Sequence, residues 1–199
     1  MLVLQHGVGW SAELLRVSAP TFDAVATRYG LDRVASFQRA IPEKRPHWEK
    51  IVLLIHFLTF SPDDTVILWA DADTLYLRPE MDPRNVLPTD CDIGFNRVKW
   101  GWWNAGLMFI RANSKTREFF SRVLDLGEVP GAFDNLQDEA RINHELPAAK
   151  LAIYDLPPLW HSFERGEKQH ENPIIAGWHG VARQTALKRM KEARKAAGV

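Results

Sequence analysis

Several ordinary features are scarce in this sequence, and each shortage excludes a class of protein. One cysteine, Cys91, stands among 199 residues, too few for an internal disulfide framework or a cysteine-rich zinc module. No apolar run approaches the roughly 18 residues that span a bilayer. Neither sign of charge dominates: 25 Lys plus Arg face 25 Asp plus Glu, and the formal net charge is zero. Dedicated nucleic-acid binders are as a rule basic, so no nucleic-acid partner is expected. Internal repeats, low-complexity linkers and breaks in composition are also missing. With 46% hydrophobic and 25% charged residues, the chain is expected to fold as a single domain over residues 1–199. Its opening, MLVLQHGVGW, has no basic leader, long apolar stretch or small-residue cleavage site, so the expected compartment is the reducing cytoplasm.

Tryptophan is what the chain has in plenty. There are eight, three of them in Trp100-Gly101-Trp102-Trp103. Isolated ones such as Trp10 and Trp160 read as packing residues. The cluster reads either as packing or as a shaped loop that stacks on a flat ring or a sugar face, bordering a donor or acceptor pocket.

Apolar periodicity outlines the elements. Residues 2–5 read as a first strand, and Ser11 caps a helix through Leu14, Leu15 and Val17. Pro20 suits the first position of a second helix, with Phe22, Val25, Ala26 and Tyr29 on one face and Gly30 as its stop. A strand follows at 33–37. The span 47–60 reads as a helix apolar on most sides, hence buried. Val66 to Ala70 is a continuous apolar run of the kind that forms a strand buried on both faces of a parallel sheet. Further strands are expected at 91–95, 105–110, 150–154 and 173–177, and helices at 114–126, 134–146 and 182–197. Strand and helix alternate, which predicts an α/β fold with a mostly parallel central sheet flanked by helices.

Asp71-Ala72-Asp73 directly follows the apolar run. Residues two apart on an extended chain point to the same side, here at the carboxyl end of a parallel strand, where open α/β sheets bind ligands. Adjacent carboxylates repel, and a divalent cation relieves the repulsion. Oxygen donors suit Mg²⁺ or Mn²⁺. The competing reading is a polar turn in which Asp73 and Thr74 cap the next element. Asp71-Ala72-Asp73-Thr74 also matches the D-x-D-x-T string of haloacid-dehalogenase-like phosphatases, where Asp71 would be the nucleophile. That motif usually opens its domain, however, and its partner motifs are missing here.

A second resemblance covers most of the chain. Trp48-Glu49-Lys50-Ile51 on the buried helix leads to ILWADADTLYL. Asn104-Ala105-Gly106 then opens an apolar strand, Asn135-Leu136-Gln137-Asp138-Glu139 opens a helix, and Gly177-Trp178-His179-Gly180 follows a last strand. In that order these fragments resemble the GT-A glycosyltransferases, in their glycogenin-like and galactosyltransferase-like branches. The resemblance implies a Rossmann-related GT-A fold. It also implies a metal-dependent transfer of sugar from a nucleoside-diphosphate sugar to a saccharide, lipid-linked or protein acceptor, with retention of anomeric configuration. It departs in one place: the lysine those families carry a few residues after the histidine-glycine pair is not matched at that spacing.

By the same resemblance, Asp71, Asp73 and His179 would hold Mn²⁺ (or Mg²⁺), with His161 a weaker rival to His179. Lys50, Asp71, Asn104, Gly106 and Gly180 would line the donor site, Gly106 by allowing close approach of the sugar. Gln137 and Asp138 would border the sugar and the acceptor, unless Asp134 and Gln137 form a helix capping box. For an inverting reaction, Asp138 or Glu139 would be the base. The basic run from Arg183 to Lys195 reads as a solvated helix face. It also offers diphosphate contacts through Arg183 or Lys188, or peripheral contact with an anionic membrane surface. A non-catalytic carbohydrate-binding protein on the same fold is the reading from another class.

Overall fold

The computed structural model describes residues 1–40, 47–126, 137–163 and 170–199. Nine strands and five helices alternate through the described residues: β1 (Leu2–His6), α1 (Ser11–Tyr29), β2 (Asp32–Ser36), α2 (His47–Phe60), β3 (Val66–Asp71), β4 (Thr74–Tyr76), β5 (Ile93–Arg97), β6 (Trp103–Arg111), α3 (Ser114–Asp125), α4 (Gln137–Glu145), β7 (Ile153–Asp155), β8 (Ser162–Phe163), β9 (Ile175–Gly177) and α5 (Arg183–Ala197). Six strands form one sheet in the order β2-β1-β3-β6-β5-β7, and β4-β9-β8 form a second. Within the larger sheet only β6 runs against its neighbours β3 and β5; the other pairings are parallel.

The strand period of two is visible in the core. Leu2, Leu4, Ile67, Trp69, Met108 and Ile110 face Ile51, Leu54 and Leu58 of α2 and Phe119, Phe120 and Val123 of α3. The residues between them, Val3, Leu68, Ala70, Leu107 and Phe109, face Phe22 and Val25 of α1. Both faces of the sheet are thus covered, which is why β3 needs an unbroken apolar run. A third cluster packs α5 on α1 through Ala186, Leu187, Met190, Leu14 and Leu15, with Leu75 of β4 beneath. Among the described residues, no helix is long and apolar enough to cross a membrane.

The expected elements are present, with differences that have plain causes. The two helices expected on either side of Pro20 are one, α1. A proline inside a helix removes one hydrogen bond to the carbonyl four residues back. Here that residue is Arg16, and both it and Pro20 are exposed, so water can take the orphaned carbonyl. Gly30 ends the helix in the left-handed region at φ 62°, its N–H reaching Ala26. The helix expected at 134–146 is seen from Gln137; residues 134–136, and with them the proposed capping box, lie outside the described residues. The polar turn after β3 leads into β4, not into a helix. At three and two residues, β4 and β8 are too short to leave a periodic signature.

Phe109, fully buried between β3 and β5, measures the integrity of this core. Phe109→Ala should lower unfolding free energy by about 3–5 kcal/mol in urea titration, whereas Phe60→Ala, on an exposed side chain, should stay within about 0.5 kcal/mol of the parent.

Candidate metal centre

The centre is assembled by two sheets meeting at one edge. Asp71 is the last residue of β3; the chain turns through Ala72 and Asp73 and re-enters as β4. The two carboxylates therefore converge across a tight turn, not along an extended strand. β4 pairs with β9 so that Thr74 lies opposite Gly177, and Trp178 N–H donates to the Asp73 carbonyl at 3.0 Å. That pairing carries His179 to the aspartates. A donor atom from each of Asp71, Asp73 and His179 lies within 4.8 Å of the other two.

The His179 ring occupies a slot made by two glycines. A Cβ on Gly106 would overlap its Cε1, and one on Gly177 would lie 2.5 Å from its Nε2. Phe163 and His161 pack edge-on against the same ring, each with centroids 5.4 Å away. The missing side chain of Gly106 thus makes room for the imidazole, and Gly106 also lines the cleft.

Lys50 neutralises the cluster from beneath. Its Nζ lies 3.0 Å from Asp71 Oδ1 and 2.7 Å from Asp138 Oδ2, and it donates to the Ala105 carbonyl at 3.0 Å. The ammonium is thus held between two protein carboxylates in the wall of the cleft. Burial alone would depress its pKa, but Asp138 and Asp71 outweigh that and raise it, so the ammonium stays charged. Asp71 also accepts the Trp69 indole N–H at 2.7 Å. Burial lifts the Asp71 pKa, with Lys50 opposing and Asp73 adding to the rise. At Asp73 burial is outweighed by His179 and Lys50, and the pKa falls. The His179 pKa shifts the other way: burial opposes its charge, yet Asp73 raises it. His161 is fully buried, and desolvation together with His179 holds it well below the usual range, hence neutral.

Of the other expected site residues, Asn104 is committed to structure. Its amide donates to Glu139 Oε2 at 3.1 Å while its carbonyl accepts Gly106 N–H at 2.9 Å. Glu139 also accepts Ala105 N–H at 3.1 Å, and burial raises its pKa. Gly180, in the left-handed region at φ 72°, lines the cleft. Gln137 opens α4, and its side chain lies outside the described residues. Arg183 pairs with Glu13 at 2.5 Å, so this end of the basic helix is tied to α1.

These groups line an open cleft of about 590 Å³. Trp10 and Trp100, 60% and 52% exposed, both border it, which places the tip of the β5–β6 hairpin on the side of Asp73. Trp103 instead packs inward on Phe95, under the Arg97 guanidinium. The sequence reading missed a buried group in the same wall: His6 Nε2 lies 2.8 Å from Glu49 Oε2, and Glu49 also takes Arg39 and the Ala40 N–H at 2.9 Å. Its signal was an acid on a helix otherwise apolar nearly all round.

Set beside solved structures, the chain superposes along nearly its whole length on glycosyltransferases. One involved in glycosylation of the major capsid of PBCV-1 matches with a TM-score of 0.73 at 14% identity, covering 96% of this chain and 98% of that one. The galactosyltransferase LgtC, solved with donor and acceptor sugar analogues, matches at 0.63 and 13%, covering 100% and 95%. GlyE of Streptococcus pneumoniae matches at 0.60 and 11%, covering 99% and 63%. No protein-family model and no curated protein sequence matches the chain. At identities this low the shared property is the fold, and the chain has the α/β GT-A fold of nucleotide-sugar glycosyltransferases.

The donor set fits a divalent cation. Asp73 Oδ1 is buried and lacks a hydrogen bond although His179 Nδ1 lies 2.9 Å away: the two approach closely but out of line. A carboxylate oxygen with an unused lone pair beside an imidazole is what an ion such as Mn²⁺ takes up. Two outcomes are expected. Gly106→Ala and Gly177→Ala should each expel the His179 ring and weaken Mn²⁺ binding in an electron-paramagnetic-resonance titration; parental affinity in both would show that the ring is not a ligand. An ion must also displace the proton that Asp73 stabilises on the ring. Mn²⁺ affinity should therefore fall as pH drops through the raised His179 pKa and level off above it, and a flat profile would exclude the ring.

Proposed function

We propose that the protein is a metal-dependent glycosyltransferase that moves a sugar from a nucleoside-diphosphate sugar to a saccharide, lipid-linked or protein acceptor. The observation that carries this reading is the convergence of Asp71, Asp73 and His179 in the open cleft of a GT-A fold. The bound cation, Mn²⁺ or Mg²⁺, would supply Lewis-acid stabilisation of the charge that develops on the departing diphosphate. The chain's own residues do the rest. Asp71 is oriented by Lys50 and Trp69, and Asp73 is aimed by the turn that starts β4. Asp138, at the first turn of α4, brings a carboxylate to the cleft where sugar hydroxyls need acceptors.

Retention of anomeric configuration fits the same geometry. The two carboxylates that border the cleft besides the aspartate ligands are already engaged, Asp138 by Lys50 at 2.7 Å and Glu139 by Asn104 and Ala105 at 3.1 Å. Neither is placed as a free general base, which a retaining enzyme of this fold does not need. The phosphatase reading is not favoured. The chain superposes on glycosyltransferases along nearly its whole length, which speaks for sugar transfer instead.

A thermal-shift panel of nucleoside diphosphates and their sugars, with and without Mn²⁺, tests the proposal. A ligand present at 100 times its Kd stabilises the folded state by about 2.7 kcal/mol, so one nucleotide should raise the melting temperature only when Mn²⁺ is present. Asp73→Asn should abolish that rise while leaving the metal-free melting temperature within about 2 °C of the parent, since the isosteric amide leaves no cavity and relieves the repulsion with Asp71. Stabilisation without metal dependence would point to a carbohydrate-binding protein on this fold instead.

A further inference from the structure

His161 has no part in the reading above, yet it is a fully enclosed polar side chain beside the centre. It is 0% exposed. Its Nε2 lies 3.3 Å from His179 Nε2, and its Nδ1 is buried without a hydrogen-bond partner. Its position is set by backbone pairing. β8 runs parallel to β9 with Ser162 opposite Ala176 and Phe163 opposite Gly177, which lays His161 alongside β9, and the His179 ring, two residues beyond that strand, lies back against Gly177 to meet it. Asn96 fixes the same peptide from below by donating its amide to the His161 carbonyl.

Two neutral imidazoles that meet through their Nε2 atoms must divide the roles, one donating and one accepting. The other nitrogen of His179 settles which. Nδ1 is the atom that faces Asp73, at 2.9 Å, so it is the one directed toward an ion held with Asp71 and Asp73. Binding a metal there requires a bare Nδ1, and the remaining ring proton then sits on Nε2. That proton points at His161 Nε2, which must accept it, and the proton of the neutral His161 ring is forced onto Nδ1. A buried N–H without a partner is unfavourable. Here it follows directly from the acceptor role of Nε2, and a phenylalanine would fill the same place with no such penalty.

We propose that His161 is a positioning residue for the metal centre: its Nε2 accepts the Nε2–H of His179 and thereby presents the Nδ1 lone pair of His179 to the ion. Ligating histidines generally give their second N–H to a carboxylate, a carbonyl or water. In this chain the acceptor is a second, uncharged imidazole. It fixes the tautomer without adding negative charge to a site already ringed by Asp71, Asp73, Asp138 and Glu139. The inference rests on the metal-dependent reading of the cleft and concerns only how one ligand is oriented.

The test compares Mn²⁺ binding, without nucleotide, to the parent, to His161→Phe and to His161→Gln. Phenylalanine keeps the ring packing against Phe163 and His179 but cannot accept a hydrogen bond; glutamine restores an acceptor oxygen near Nε2. Loss of such a partner weakens metal binding about 10- to 100-fold, so His161→Phe should show that loss by isothermal titration, with His161→Gln recovering most of it. In the Mg²⁺-loaded parent, long-range ¹H–¹⁵N correlation spectra of histidine-labelled protein should report His161 as the Nδ1–H tautomer and His179 as the Nε2–H tautomer. A parent that binds no Mn²⁺ overturns the metal reading and this inference together. A parent that binds, with His161→Phe binding equally well or with His161 found as the Nε2–H tautomer, overturns this inference alone. Should His161→Phe not fold, the tautomer assignment in the parent still decides.

Discussion

A single buried cation makes the cleft possible. Asp71, Asp73, Asp138 and Glu139 all reach one edge of the sheet, two from the end of β3 and the turn after it and two from the first turn of α4. Gathering acids in such a place is unfavourable unless a counter-charge is built in. Lys50 is that counter-charge. Its stem runs through the apolar side of α2, and its ammonium sits between Asp71 and Asp138. The Asp71 and Asp73 pKa values move in opposite directions: burial prevails at Asp71, while at Asp73 it is outweighed chiefly by His179. Lys50 offsets only part of the negative charge of these four acids, and a divalent ion would offset more of it.

The backbone solves a second problem, which is bringing polar groups from far-apart positions to one edge. In an all-parallel sheet the strand beside β3 would end there too, and its first residues would lie at the opposite edge. β6 is reversed. Its opening residues, Asn104 to Gly106, therefore sit next to the end of β3, and its hairpin with β5 brings Trp100 over the cleft. The small sheet supplies the rest, since β9 can reach Asp73 only because β4 turns back to meet it.

Most of this was legible in the residues. The apolar run of β3, the near all-round apolar α2 and the amphipathic α1 each left a periodic trace, because burial on one or two faces imposes it. The Asp71-Ala72-Asp73 step and the glycine-flanked His179 marked residues that the structure brings together. What could not be read were properties of pairs. Nothing local to Lys50 says that Asp138 will take its charge, nor does anything local to Gly106 say that an imidazole from another sheet will fill its missing side chain. His161 precedes a two-residue strand, too short for a period, and it matters only through a ring that the sequence places eighteen positions away. Pro20 misled for the opposite reason. Its local preference for a helix start was overridden by packing of the residues on either side of it along one face of α1.

The small sheet has a consequence for the order of events as the chain folds. Strands β1 to β6 and the helices between them contain their own core and both aspartates, whereas β8, β9 and His179 come much later. Closing β9 onto β4 joins strands separated by about half of the chain, a slow and entropically demanding step. A partly folded chain therefore holds two carboxylates and their lysine, without the imidazole. An ion that prefers the completed set binds only after that closure and stabilises the closed state against reopening. A metal bound there would be less a nucleus for folding than a latch, and its removal would first loosen the strip carrying β8 and β9.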